Sequence, residues 1–201
     1  PVVCDVREPG VADRLVAAAI EHFGPPTVLV NNVGHFGGPR RAFHEQGDDE
    51  WDDLYRVNLG HVLTCTRAVI ADLVGRGAPG SIVNVSTVEA FRAIPTRAVY
   101  SAFKTAITGL TRSLAVEYGY AGIRVNAIAP DVTETPQVPY SQWLTEADRA
   151  MVPTWVPVGR LGQPHDAAGA ALFLASDLSA FVTGTTVPVD GGTLASSGWF
   201  P

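Results

Sequence analysis

Two runs of β-branched residues on either side of one long helical pattern constrain the fold of this chain more than any other feature. The first run, Gly80–Thr87, ends in two hydroxyl side chains, and the second run is Ile123–Pro130. Between them, Ala98–Tyr118 places apolar side chains at helical spacing, with Gly109 as its only weak point. A strand, a helix and another strand form a βαβ unit, in which the strands are parallel and the polar residues meet at one sheet edge. The sequence therefore predicts a doubly wound α/β fold.

Tyr100 and Lys104 lie four residues apart in the predicted helix, so their side chains can reach the same small volume. A phenol has a reference pKa of about 10 and is a poor base at neutral pH. We expect the Lys104 ammonium to lower the pKa of Tyr100 by Coulomb attraction. Such a pair can exchange a proton with an alcohol or carbonyl oxygen. Without further context, the same spacing is typical of an amphipathic surface turn.

Composition and charge narrow the class of protein. The chain has 201 residues, 46% hydrophobic and 17% charged, which predicts a single domain over residues 1–201. Its net charge of −6, without a basic cluster, argues against nucleic-acid and membrane partners. The longest apolar run, residues 167–175, is shorter than the roughly 20 residues of a membrane span, and no signal peptide is visible. The five histidines lack ligand spacing, so no metal site is predicted.

The two cysteines, Cys4 and Cys65, fit the pattern of buried thiols in a cytoplasmic protein. A thiol-dependent enzyme that uses Cys65 is a further hypothesis. The predicted helical setting of Cys65 argues against it, because His61 is the only suitable base within one helical turn.

The remaining elements follow from periodicity and from the positions of glycine and proline. The chain opens directly on a predicted strand, Pro1–Val6, with no glycine-rich turn ahead of it. The other predicted elements are helices over residues 9–23, 50–73 and 165–175, and strands over residues 27–34 and 183–190.

The Tyr100/Lys104 pair, the hydroxyls that end the first run and the sequence Asn31-Asn32-Val33-Gly34 together resemble the short-chain dehydrogenase/reductase family. The resemblance extends from about Val2 to Gly192. It implies a Rossmann-type parallel sheet and hydride transfer between NAD or NADP and a secondary alcohol or ketone. The family's first strand–helix–strand portion, which carries the phosphate-binding turn, is missing from the pattern. The choice between NAD and NADP stays open, because the family makes it in that portion.

The resemblance also implies roles for individual residues. Tyr100 would be the acid/base, and Lys104 would lower its pKa and bind the nicotinamide ribose. Asn58 would lie at a kink in its helix, where its carbonyl holds a water that relays protons to Lys104. The family's catalytic serine lies thirteen residues before the tyrosine, at Thr87 in this chain. Thr87 is favoured as the catalytic hydroxyl, with Ser86 as the alternative.

Further positions match the family's cofactor contacts. Asp5, with Val6 beside it, would meet the adenine amino group, or Asp5 would cap the next helix. Gly34 would let the backbone approach the adenosine ribose. Asn31 and Asn32 are expected to tie strands together, and Asn32 is also assigned to the cofactor site. The segment that covers the nicotinamide contains Pro130, Val132 and Thr135, with Asp131 in place of the family's usual glycine.

A segment rich in proline and aromatic residues, at about 131–157, occupies the position of the family's substrate loop. Its apolar character favours a cyclic or otherwise hydrophobic alcohol or ketone, and no anionic substrate is signalled. The tail, with Trp199 and Phe200, has no evident place in a monomer core.

Two expectations concern the whole protein. Relatives pair the two long helices across two-fold axes, which predicts a homotetramer. The native gene product is expected to extend about 40–60 residues before Pro1, the length of one strand–helix–strand unit, with a Thr-Gly-x-x-x-Gly-x-Gly turn. The rival hypothesis is a non-catalytic relative that keeps the scaffold for assembly or regulation.

Overall fold

Four parallel strands form one sheet, with the spatial order β1-β2-β3-β4, in a computed structural model that describes residues 1–38 and 40–196. In the register, Val30 of β1 lies opposite Val83 of β2, which lies opposite Asn126 of β3. The strands are β1 Val28–Asn31, β2 Gly80–Val85, β3 Ile123–Pro130 and β4 Thr186–Val189. Their carboxyl ends therefore meet at one edge, as the βαβ pattern predicts.

Helices cover both faces of the sheet. The helices are α1 Val11–Phe23, α2 Asp48–Tyr55, α3 His61–Arg76, α4 Ala98–Tyr118, α5 Tyr140–Trp143, α6 Glu146–Trp155, α7 Pro164–Ala175 and α8 Thr193–Ser196. On β2, Ile82 packs with residues of α3 and α4, whereas the next residue, Val83, packs against Leu174 of α7. Successive strand side chains point to opposite faces, so this alternation requires two covering layers. The predicted doubly wound α/β fold is confirmed.

The helix that carries Tyr100 and Lys104 has the predicted bounds, Ala98–Tyr118. Helix α1 begins at Val11, two residues later than predicted, because Gly10 is its N-cap in the left-handed region, with φ 73°. The helix ends as predicted at Phe23, and Gly24, with φ 86°, is its C-cap.

The prediction of a strand over Pro1–Val6 is wrong. These residues form no strand, and Val3 is 99% exposed. A strand requires a neighbour with which to exchange hydrogen bonds, and β1 pairs only with β2 among the described strands.

The predicted single helix over Glu50–Leu73 is three segments. Helix α2 ends at Tyr55, a π-helical turn occupies Arg56–Gly60, and α3 continues to Arg76. By length and hydropathy alone, the combined segment Asp48–Arg76 could cross a membrane. In this structure, however, Val62, Val69 and Leu73 belong to the buried core.

Other boundaries also differ from the sequence prediction. β4 begins at Thr186, not Thr183, because the Thr183 hydroxyl accepts the Val125 N–H before the ladder starts. The 131–157 segment is not a simple loop, since it contains α5 and α6. Trp199 and Phe200 lie outside the described residues.

Candidate active site

A cavity of about 600 Å³ opens at the carboxyl edge of the sheet, beside the first turns of α4. It brings together most of the residues that the sequence singled out. Those that line it are Asn32, Gly34, Ser86, Thr87, Tyr100, Lys104, Pro130, Val132 and Thr135.

The Tyr100 and Lys104 side chains meet in this cavity, as their spacing predicts. Lys104 is only 3% exposed, and its Nζ lies 5.9 Å from the centroid of the Tyr100 ring. Nζ also donates a hydrogen bond of 3.0 Å to the Val85 carbonyl at the end of β2. That bond fixes the ammonium between the sheet edge and the helix.

The electrostatics of Tyr100 differ from the sequence prediction. Burial raises the pKa of Tyr100, and the nearby Glu89 carboxylate adds to the rise, whereas Thr87 and Arg97 act in the opposite direction. The Lys104 ammonium over the ring does not offset the effect of burial on this pKa. Burial in turn lowers the pKa of Lys104 to about 8. The expectation that Lys104 lowers the pKa of Tyr100 is therefore wrong for this arrangement, in which burial favours the protonated phenol.

Asn58 lies in the π-helical turn and is completely buried. Its Nδ2 donates to the carbonyls of His35 and Leu54, at 2.8 and 3.0 Å, and its Oδ1 accepts the His35 N–H at 3.1 Å. A π turn is an interruption of regular helix that is frequent at functional sites. The helix is thus interrupted by a π turn at Asn58, and the side chain ties this turn to the segment after β1.

Gly34 makes this arrangement possible. A Cβ atom at Gly34 would lie 2.9 Å from Lys104 Nζ and 3.1 Å from Asn58 Oδ1. A side chain here would therefore displace one of the two polar groups.

The two candidate hydroxyls have different environments. Ser86 Oγ donates a hydrogen bond of 2.9 Å to the backbone carbonyl of Lys104 and so links α4 to the end of β2. Thr87 Oγ1 hydrogen-bonds to the Glu89 carboxylate and contacts the Pro130 carbonyl at 3.3 Å. The Thr87 side chain also lowers the pKa of Tyr100 through a hydrogen bond. The hydroxyl near the phenol is therefore that of Thr87.

The segment after β3 bends sharply at Val132, whose φ is 26°. A positive φ is unusual for a β-branched residue and is a source of strain. The turn therefore forms with Asp131 in the place of the family's glycine, and the strain falls on the next residue. The Asp131 carboxylate pairs with Arg92 at 2.7 Å and accepts a hydrogen bond from Thr193, which anchors the segment.

Two predicted cofactor contacts, Asp5 and Val6, do not line this cavity. The Asp5 carboxylate forms an ion pair of 2.6 Å with Arg7, which also pairs with Asp53. The hydrogen bonds with Arg7 lower the pKa of Asp5 to about 2. The alternative role of Asp5 as the cap of α1 is wrong, because Gly10 caps that helix.

Three charged residues of the cavity, Glu89, Arg40 and Arg97, had no predicted role in the sequence. Glu89 contacts the Thr87 hydroxyl and lies 3.6 Å from Arg92. Tyr140 and Trp143 of α5, within the predicted substrate loop, also line the cavity. A carboxylate two residues after the candidate hydroxyl could have indicated that Glu89 contacts Thr87.

The thiol hypothesis gains no support from the structure. Burial raises the pKa of Cys65, which disfavours the nucleophilic thiolate. Neither ring nitrogen of His61 has a hydrogen-bond partner among the described residues, so His61 does not hydrogen-bond the thiol.

Comparison with known proteins connects this geometry to a family. A family model described as enoyl-(acyl carrier protein) reductase matches residues 1–193. The chain is 39% identical over 193 residues to an A-factor type gamma-butyrolactone 1'-reductase of Streptomyces virginiae, which covers 95% of this chain and 74% of that protein.

Solved structures are also similar to this chain over most of its length. A gluconate 5-dehydrogenase of Burkholderia cenocepacia J2315, in complex with NADP and tartrate, superposes with a TM-score of 0.85 at 34% identity, over 96% of this chain and 74% of that one. A 4-hydroxyisoleucine dehydrogenase complexed with NADH gives a TM-score of 0.83 at 29% identity, over 96% and 80%.

The fold and the site define a nicotinamide-dependent oxidoreductase. The chain belongs to the short-chain dehydrogenase/reductase family. It is an enzyme that interconverts CH–OH and carbonyl groups with NAD or NADP. The cavity of about 600 Å³ fits this class of cofactor, because Thr87, Tyr100 and Lys104 line it with groups that can hydrogen-bond a ribose and a substrate oxygen.

Proposed function

We propose that Tyr100 is the residue that exchanges a proton with the substrate oxygen as a secondary alcohol and a ketone interconvert. The observation that carries this proposal is the convergence of Tyr100, Lys104 and Thr87 on one cavity at the sheet edge, with the buried Asn58 beside Lys104 at Gly34. The nicotinamide supplies or accepts the hydride when it is bound. A buried, protonated phenol suits the donation of a proton to a carbonyl oxygen.

Thr87 orients the substrate oxygen in this proposal. Both residues line the cavity, but the Thr87 side chain is the one that interacts with the Tyr100 phenol, whereas the Ser86 hydroxyl donates to the Lys104 carbonyl in α4. A threonine hydroxyl can donate and accept the same hydrogen bonds as a serine hydroxyl.

Lys104 and Asn58 support the proton transfer. Lys104 would hold the nicotinamide ribose and, with a pKa of about 8, can release or take up a proton near neutral pH. Gly34 and the segment Pro130–Thr135, which includes Val132, would line the cofactor side. Asn58 belongs to the proposed relay because its Oδ1 and Lys104 Nζ approach the same point at Gly34.

The named relatives reduce or oxidise chemically different compounds, a butyrolactone and a sugar acid among them. Their substrates therefore do not transfer to this chain. The apolar side chains of Phe36, Ile94, Val138 and Trp143 in the cavity support a substrate with a hydrophobic body.

The proposal includes a homotetramer. An apolar groove of about 480 Å³ runs between α3 and α4 and is lined by Leu63, Ile70, Val74, Leu110 and Leu114, among others. A second copy of the chain would cover these residues. A cytoplasmic location is proposed with it, supported by two free cysteines.

The direct test is a panel of secondary alcohols and ketones, assayed on the intact gene product with NAD(H) and NADP(H) by nicotinamide absorbance. Turnover that Tyr100→Phe abolishes supports the proposal. Cofactor binding without turnover of any compound would favour a non-catalytic relative.

A further inference from the structure

Two arginines line the cavity beside Tyr100 without a carboxylate partner among the described residues. Arg97 lies three residues before Tyr100, at the N-cap of α4, and Arg40 follows β1 in the chain. Neither forms an ion pair within the part of the chain that the structure describes. By contrast, the nearby Arg92 pairs with Asp131 at 2.7 Å.

Two hydrogen bonds hold the guanidinium of Arg97 in place and leave other N–H donors unused among the described residues. Nη1 donates to the carbonyls of Phe36 and Gly38, at 2.9 Å each, and the group lies 4.8 Å from the centroid of the Phe36 ring. A guanidinium has five N–H donors in a planar fork. Nε and Nη2 therefore have no hydrogen-bond partner among the described residues, and the planar fork matches a carboxylate.

The electrostatics at this position favour an anion. Burial lowers the pKa of Arg97, and the nearby charge of Arg40 adds to the effect. The facing acid, Glu89, is already engaged with Thr87 and Arg92. The positive charges of Arg40 and Arg97 repel each other, and no carboxylate among the described residues pairs with either. A bound anion would reduce this repulsion.

The backbone that places Arg97 is unusual. Thr96, the residue immediately before it, has φ 65°, in the left-handed region that β-branched residues rarely adopt. Strain of this kind persists where surrounding structure fixes it and is frequent at ligand-binding positions.

We propose that the substrate carries a carboxylate, which Arg97 binds with its free donors while Arg40 adds attraction. The reacting oxygen would then lie at Tyr100 and Thr87, and the apolar body of the molecule would pack against Phe36 and Ile94. The substrate class is a hydroxy or oxo carboxylic acid with a hydrophobic body. This inference rests on the proposed function, and it differs from the neutral substrate that the sequence alone favours.

The test compares oxo acids with their methyl esters, which keep the ketone and remove the charge. Suitable pairs are 4-oxopentanoate, 4-oxocyclohexanecarboxylate and 4-acetylbenzoate, each with its ester. Losing a hydrogen bond to a charged group should lower kcat/KM for the preferred acid by about tenfold or more in Arg97→Gln, with the ester affected much less. Arg40→Gln should give a smaller loss in the same direction. Arg112→Gln is the matched control, because Arg112 is exposed on the same helix and does not line the cavity.

Several outcomes would overturn the inference. One is that the parental protein reduces the esters as fast as the acids. Another is an equal loss of kcat/KM for acid and ester in Arg97→Gln, which would indicate that Arg97 has a purely structural role. Arg40→Gln guards against misfolding of the first variant, because Arg40 is exposed and forms no hydrogen bond to the described residues.

Calorimetry separates this inference from the proposed function. If nothing is turned over, the proposed function fails. Binding of 4-acetylbenzoate to the cofactor-loaded protein that weakens about tenfold in Arg97→Gln would still support the carboxylate site. Absent or unchanged binding would overturn it.

Discussion

Lys104 Nζ and Asn58 Oδ1 converge on the same point above the backbone of Gly34, where a Cβ atom would lie 2.9 Å from the first and 3.1 Å from the second. The two groups come from different helical segments, α4 and the π turn before α3. A glycine after β1 therefore allows a cation and a buried amide to share one small volume.

Gly34→Ala should fold and lose activity. The Lys104 ammonium is the end of a flexible side chain and can move away, which displaces it from the cavity. A displacement of about 1 Å in a reacting geometry can cost up to about 100-fold in rate. Steady-state kinetics and cofactor titration measure the effect.

Gly109→Ala is the matched control, because its Cβ would meet nothing within 4 Å. That change should stabilise α4 by about 0.5–1 kcal/mol. Parental activity in Gly34→Ala would contradict the interpretation.

Tyr100→Phe should lower kcat by about 10²–10⁴-fold, because it removes the acid/base hydroxyl and keeps the ring. Cofactor affinity should stay close to the parental value, as measured by nicotinamide fluorescence. A variant that retains more than half of the parental kcat would rule out Tyr100 as the acid/base.

Thr87→Ala should impair turnover more than Ser86→Ala. The Thr87 side chain interacts with the Tyr100 phenol, whereas Ser86 Oγ donates to the Lys104 carbonyl. Ser86→Ala should instead lower the free energy of unfolding by about 1 kcal/mol, because the buried hydrogen bond between Ser86 Oγ and the Lys104 carbonyl is lost. Kinetics and urea denaturation of both variants separate the two effects. The reverse order of kcat losses would show that Ser86 is the catalytic hydroxyl.

His61 predicts a specific pH dependence of stability. The side chain is 3% exposed, and burial lowers the pKa of His61 from 6.5 to about 4. The unfolded chain therefore binds a proton at higher pH than the folded chain. The stability from neutral His61 is complete above about pH 6.5 and is lost as the pH falls towards 4. At about 1.36 kcal/mol for each pKa unit, the loss has an upper limit of about 3 kcal/mol.

The measurement is chemical denaturation of the parental protein and His61→Phe across this range. The variant keeps a planar ring without a titrating nitrogen, so its acid limb should be flatter. Parallel curves for the two proteins would contradict the assignment.

Val74→Glu should weaken the proposed tetramer. Val74 is 46% exposed and lines the groove between α3 and α4. A carboxylate buried in an interface without a partner is costly. Light scattering at micromolar concentration should show a smaller mass for this variant. Val116→Glu, at an 85% exposed position of α4 outside the groove, should leave the mass unchanged. A monomeric parental protein would contradict the tetramer.

Local patterns in the sequence were sufficient for the central helix and for the placing of its Tyr and Lys. The bounds of α4 and the meeting of Tyr100 and Lys104 follow from helical periodicity, which depends only on residues a few positions apart. The end of α1 at Phe23 and the strand β2, which leads into Ser86 and Thr87, follow in the same way.

Electrostatic directions required the tertiary structure. The sequence predicted that Lys104 lowers the pKa of Tyr100, whereas burial raises it. The depth of a side chain and the side of a ring that a cation faces depend on packing between distant elements.

The sequence by itself determined the type of fold, the family and the helix that carries the Tyr–Lys pair, because each is encoded in short-range patterns. Only the tertiary structure decided that Ser86 is engaged with α4, that Pro1–Val6 is not a strand and that Arg40 and Arg97 share a cavity with Tyr100. The physical reason is that hydrogen-bond partners, burial and charge neighbours are set by residues far apart in the chain.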